Sequence, residues 1–203
     1  MLDMPASQPE RSGSSKLILL GLVISFCLLI PCFWHGHIQA GDLGSHTYNA
    51  WLAQLIQQGK APGLYLAMQW QNVLFDFLLF YLVKLAGFTL GEKLAVSICV
   101  LIFFWGLFFF VRVATHWAPW FLTPVLAMVS YSYVFHMGFM NYYLSMGLAS
   151  FGLALLWNGQ WRGMLGAALL IPLVMFCGER NVYSHSLSFL ASGDGIGNPL
   201  SSF

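Results

Sequence analysis

Leu94–Val111, LAVSICVLIFFWGLFFFV, decides the fold, because it is a continuous apolar run without a single charged side chain. As a helix rising 1.5 Å per residue it covers about 27 Å, close to the roughly 30 Å hydrocarbon core of a bilayer. Arg112, His116 and Trp117 follow at once, a basic and aromatic cluster of the kind that marks a membrane interface. The run therefore reads as a membrane-spanning helix, and the rest of the chain repeats its character. Of the 203 residues 59% are hydrophobic and only 7% charged, against roughly 25% charged in soluble domains. So few charges cannot cover a water-exposed surface.

Working outward, Leu17–Trp34 is a second long apolar run, with Pro31 near its outer end and no small-residue cleavage site behind it, so it reads as an uncleaved first span. Residues 73–88 form a span carrying Asp76 and Lys84, and Thr89–Lys93 a short hinge before the central run. Residues 119–135, 142–157 and 164–177 complete a set of about six spans. The expected fold is all-α: a polytopic helical membrane bundle filling residues 17–177, with an external loop at 35–72 that holds an amphipathic helix. Residues 1–16 read as a cytoplasmic tail. From Gly178 the composition turns to Ser, Gly and Asn, so 178–203 reads as a disordered or frame-shifted tail and the chain as the front part of a longer membrane protein. Arg11, Lys16, Lys84 and Lys93 are expected together on the cytoplasmic side, which places the loop outside. A net charge of +1 without a basic cluster excludes nucleic acid as a partner. Cys27, Cys32, Cys99 and Cys177 sit in apolar surroundings without metal-ligand spacing and read as packing thiols.

The external loop, HGHIQAGDLGSHTYNAWLAQLIQQGKAPGLYLAMQWQ at 35–71, is where chemistry is expected. Tyr48, Trp51, Leu52, Leu55 and Ile56 recur at helical spacing, with Asn49, Gln54, Gln57 and Gln58 between them, and Gly59 and then Pro62 end the pattern. This predicts a helix over 45–58 lying in the membrane interface. Asp42 stands at its head, where it serves either as an N-cap or as a general base. His35, His37, Asp42 and His46 are close enough in sequence to hold a divalent metal, with Asp42 and His46 at the i, i+4 spacing of one helical face. Asp76, an ionisable group within a span, marks a cavity or a partner. Gly138 and Asn141–Tyr143 interrupt the apolar pattern as either a tight turn or a functional break, and Ser145, Ala149 and Gly152 form a small-residue stripe.

This layout resembles the amino-terminal module of the GT-C superfamily, multi-spanning glycosyltransferases that use polyprenyl-phosphate sugars. The resemblance rests on the first span, then GDLGSHTYNAWLAQLIQQGKAPGLY, then closely spaced spans. It implies Asp42 as the catalytic acid of the first external loop. His46, Asp76 and Arg112 then become substrate-binding candidates, Arg112 by forking onto the lipid phosphate. The partners implied are membrane lipid and a polyprenyl-phosphate sugar donor, and the setting is a bacterial inner membrane. Two departures stand out: the second acid common in the family is replaced by Leu43, and the chain carries fewer spans. The competing reading is a non-catalytic transporter subunit or structural membrane protein, with Asp76, Lys84 and Gly138 as its marks.

Overall fold

Every element of the computed structural model is a helix, and it describes residues 11–66, 72–157 and 159–177, the side chains of 11–15, 176 and 177 excepted. The tail expected at 178–203 lies outside the described residues, as do residues 1–10. Helix α1 covers Arg11–Trp34, α2 Leu43–Gln57, α3 Leu74–Ala86 and α4 Phe88–Thr115; a 3-10 turn at Trp120–Leu122 leads into α5, Thr123–Ser130. Then come α6, Tyr133–His136, α7, Met140–Trp157, and α8, Trp161–Cys177. Helix α1 starts at Arg11, so residues 11–16 extend it instead of belonging to a tail. Adding residues to an existing helix costs far less than nucleating one, which is why the polar RSGSSK segment can follow the apolar run.

Helix α4 is the axis of the molecule. Phe104, Val96, Val100, Cys99 and Ala95 are all fully buried on it, because α1, α3 and α7 each lean on a different face. Against α1 it runs antiparallel: the Trp105 indole N–H donates to Ser25 Oγ at 3.1 Å, and the Lys93 ammonium sits over the Phe33 ring, 5.7 Å from its centroid. Against α7 it runs parallel, with Phe103 stacked on Tyr143 at 4.3 Å and Phe110 meeting Trp157 at 5.7 Å. Gly106 and Gly147 bring these two backbones together, since a Cβ on Gly106 would come within 2.4 Å of the Gly147 carbonyl oxygen. The small-residue contact of α7 is thus centred on Gly147, while Gly152 faces open space.

Among the described residues, two helices are long and apolar enough to cross a membrane, Lys16–Trp34 of α1 and Phe88–Thr115. Of the other expected spans two change shape, while 142–157 and 164–177 are the single helices α7, Met140–Trp157, and α8, Trp161–Cys177. Helix α3 has 13 residues and is about 20 Å long, too short to cross. It ends at Gly87, whose φ of +80° reverses the chain into α4, and Gly91 packs so tightly on Val83 that a Cβ there would approach its backbone to 2.6 Å. Residues 89–93 are therefore the first turns of α4, not a hinge. The apolar run at 119–135 is divided into a 3-10 turn and two short helices, and Tyr131, at the break, hydrogen-bonds through its hydroxyl to the Leu28 carbonyl of α1.

These directions also redistribute the positive charges. Lys93 lies at the Phe33 end of α1, the opposite end from Lys16, and Lys84 sits in the last turn of α3 beside it. Arg112, in the last turn of α4, lies at the Lys16 end, and Arg162 follows Trp157 at that end. The expectation that Lys84 and Lys93 share an end with Lys16 fails because α3 folds back along α4 and the turn between them lies beside the Phe33 end of α1.

Candidate functional site

Three helices, α2, α3 and α7, begin at one place. Asp42 and His46 come from the start of α2, Asp76 from the first turn of α3, and Asn141 from the first turn of α7. The loop is held there by backbone contact: Gly41 N–H donates to the His136 carbonyl at 2.8 Å and Asp42 N–H to the Met137 carbonyl at 2.9 Å. Both contacts need glycine. A Cβ on Gly41 would meet the Met137 oxygen at 2.8 Å, and one on Gly138, itself at φ +76°, would meet the Asp42 nitrogen at 2.4 Å. The break at Gly138 thus seats the Asp42 loop.

Asp42 occupies the N-cap position of α2, yet its side chain makes no capping hydrogen bond. Its carboxylate turns to His46 one helical turn on, Oδ2 lying 3.6 Å from Nε2. On the other side of the ring, His46 Nδ1–H donates to Asp76 Oδ1 at 2.6 Å. Asn141, 2% exposed, completes the row: its amide donates to Asp76 Oδ2 at 3.0 Å and to the Asn72 carbonyl at 2.9 Å, while its oxygen accepts the Phe75 N–H at 2.8 Å. The result is a carboxylate–imidazole–carboxylate series, open at Asp42, where the side chain is 47% exposed, and closing inward toward Asn141. Phe75 stands edge-on to the imidazole at 5.4 Å and keeps the inner side apolar.

Burial of His46 pulls its pKa down, but the hydrogen bond and charge of Asp76, joined by the charge of Asp42, outweigh it and raise the pKa above 6.5. The reason is visible in the ring. With Nδ1–H committed to Asp76, a neutral imidazole points the Nε2 lone pair at the Asp42 carboxylate; a proton on Nε2 turns that repulsion into attraction. Three helix N-termini add to the field, since their unpaired N–H groups favour the negative charges gathered there.

Asp42, His46 and Asp76, three of the four residues singled out from sequence, thus meet. Arg112 does not join them. It lies about 30 Å along α4 from Glu92, exposed at the far end, because α4 runs away from the loop and not toward it. The histidine metal set does not assemble either. His37 faces Glu92 at 3.9 Å while His46 is bound to Asp76, and among the described residues no group of three or more His, Cys, Asp or Glu is placed to hold a metal ion. The loop helix spans Leu43–Gln57 and closes as the glycine signal predicts. Gly59 adopts φ +67°, its N–H donates to the Ile56 carbonyl, and the Lys60 N–H donates to Leu55.

Sequence reading missed two residues. Asn141 was weighed only as part of a break, although a buried amide between two helix starts is the signal of a brace. Glu92 was passed over within the expected hinge. It is 5% exposed, accepts the Ile38 N–H at 3.0 Å and the Thr47 hydroxyl at 3.2 Å, and so ties the loop and α2 to α4. No family model matches the chain, and no curated protein or solved structure is similar to it.

Proposed function

We propose that the chain is a multi-pass membrane protein bearing the glycosyl-transfer site of a GT-C-like enzyme, with Asp42 as general base. The observation that carries this reading is the Asp42–His46–Asp76 series, whose outer carboxylate is exposed while the rest is anchored. The membrane setting is supported by α1, whose apolar span is only 11% buried and exposes Leu19, Leu22 and Phe26 along its length. In a bilayer that surface faces lipid. Arg11, Lys16, Arg112 and Arg162 at one end of the bundle outnumber Lys60, Lys84 and Lys93 on the loop side by one, and this small positive-inside bias favours that end as cytoplasmic and the Asp42 loop as outside, at a bacterial inner membrane.

In this reading an acceptor hydroxyl approaches Asp42, which takes its proton as the acceptor oxygen bonds to the anomeric carbon. The bond from that carbon to the phosphate oxygen breaks, and the polyprenyl phosphate leaves with the electron pair. His46, whose pKa the Asp76 and Asp42 carboxylates raise, can carry the positive charge that sequence reasoning gave to Arg112, its Nε2 facing the side on which the phosphate leaves. Asp76 and Asn141 hold the ring.

The test is transfer of a radiolabelled sugar from polyprenyl phosphate by the purified protein in lipid. A general base contributes about 10²–10⁴-fold, so Asp42→Asn should lower turnover by at least ~100-fold; turnover undiminished in that variant removes Asp42 from the chemistry.

A further inference from the structure

Helix α2 carries a second polar position on its other side, because Thr47 projects about 100° around the helix from His46. There an open cavity of about 440 Å³ lies between α2 and the start of α4, lined by the polar Glu92, Thr47 and His37 and the aromatic Tyr48, Trp51 and Phe88. The Glu92 side chain is 7% exposed. Its two hydrogen-bond donors, Ile38 N–H and the Thr47 hydroxyl, are neutral, so they fix the carboxylate without cancelling its charge. Its one ionic contact among the described residues is His37 at 3.9 Å, a side chain 71% exposed. Lys93, next in sequence, is turned away onto Phe33. On α2, Tyr48 and Trp51 stand 5.6 Å apart with their rings tilted at 41°, both substantially exposed.

We infer that this cavity binds an organic ammonium group. A buried carboxylate held only by neutral donors offers its oxygens to a cation, and aromatic faces attract an alkylated ammonium through their quadrupoles. A hard metal ion would require six or more oxygen ligands, where this wall offers one carboxylate and a hydroxyl. A phosphate would be repelled by Glu92. The ammonium belongs either to a lipid headgroup at the interface or to a free amine. The site shares α2 with Asp42 but none of its hydrogen bonds, so it stands whether or not Asp42 transfers sugar.

Gly44 provides the cleanest test. It lines the cavity, and a Cβ added to it meets nothing within 4 Å, so the side chain of Gly44→Leu starts in open space at the cavity, and the melting of the variant checks that the fold is kept. Calorimetric titration of the purified full chain in detergent would compare choline and ethanolamine with 3,3-dimethylbutan-1-ol, the uncharged isostere of choline. The expected result is saturable binding of both amines, at least ~10-fold weaker binding of the neutral isostere and of choline to Glu92→Gln, and no binding to Gly44→Leu, with melting of the Gly44 variant unchanged. Asp42→Asn should bind choline as the parent does. Isostere binding as tight as choline, or choline affinity untouched in both Glu92→Gln and Gly44→Leu, overturns the assignment. Native mass spectrometry from nanodiscs then separates the sources. Phosphatidylethanolamine retained above phosphatidylglycerol and lost in Gly44→Leu identifies a headgroup, while equal retention beside intact choline binding identifies a free amine.

Discussion

Two carboxylates grip α2 from different sides, and they differ in what satisfies them. Asp76 is one-third exposed and is bound by two side chains, His46 and Asn141, from two other helices. Glu92 is nearly sealed and is bound by a backbone N–H and a hydroxyl of the loop and α2. A carboxylate paired with an imidazole shares in proton traffic, and its partner's charge changes with pH. One fixed by neutral donors is static and open to whatever enters beside it. In the proposed reading the Asp76 side is the reactive one and the Glu92 side the holding one, although both acids lie within a few turns of the same helix hairpin.

Removing Asp76 should disturb that division most. Asp76→Ala strands the His46 N–H and the Asn141 amide in a part-buried setting, and at about 1–3 kcal/mol for each unsatisfied group the protein should lose about 3 kcal/mol in thermal or denaturant unfolding. The charge-neutral Asp76→Asn sharpens the cause. A raised His46 pKa stabilises the fold fully below 6.5, and that contribution is lost as pH rises through the folded-state value. Unfolding measured across this window should show stability falling with pH in the parent and a flatter profile in Asp76→Asn. An unchanged slope would locate the titrating group elsewhere.

Gly138→Ala comes next. It forces a side chain into φ +76° and against the Asp42 nitrogen, so a loss of about 2 kcal/mol is expected, together with reduced turnover because the Asp42 loop loses its seat. Thr47→Val acts on the other carboxylate, and also removes the bond of the same hydroxyl to the Leu43 carbonyl at 3.0 Å. Without the hydroxyl, Glu92 loses one neutral donor, about 1 kcal/mol, and choline binding should weaken while sugar transfer is retained. Least affected should be Arg112→Ala. At an exposed position remote from both carboxylates it should change stability by less than about 0.5 kcal/mol and leave turnover unaltered; a large loss of activity would reopen its role as the phosphate ligand.

The two long helices were legible from sequence because each is built around a single uncharged run, Leu17–Trp34 and Leu94–Val111, and α2 because its stripe, its leading Asp and its closing Gly59 all agree. Helix α3 and residues 119–135 misled for one reason. Apolar composition reports that a segment avoids water, not whether it crosses a bilayer or folds back against a neighbour, and the reversal at Gly87 and the break at Tyr131–Ser132 are set by packing on α4 and α1. That error carried the sidedness of Lys93 and Arg112 with it. At the site, Asp42 and His46 could be paired from their spacing, but Asp76 is thirty positions away from His46, and nothing local signals that α2, α3 and α7 start together. Glu92 was readable in principle as an acid within an otherwise apolar helix. It was hidden by Lys93, whose charge made the pair look like a solvated hinge.

The central claim is that Asp42, His46 and Asp76 act as one unit, and a double-mutant cycle on sugar transfer tests it most directly. Turnover is compared for Asp42→Asn, Asp76→Asn and the double variant in the same lipid. Groups that act together are strongly non-additive, so the double variant should be no slower than the more damaged single variant by more than about 3-fold. Losses that multiply would mean that Asp76 contributes independently of Asp42, and would contradict the series that the geometry builds.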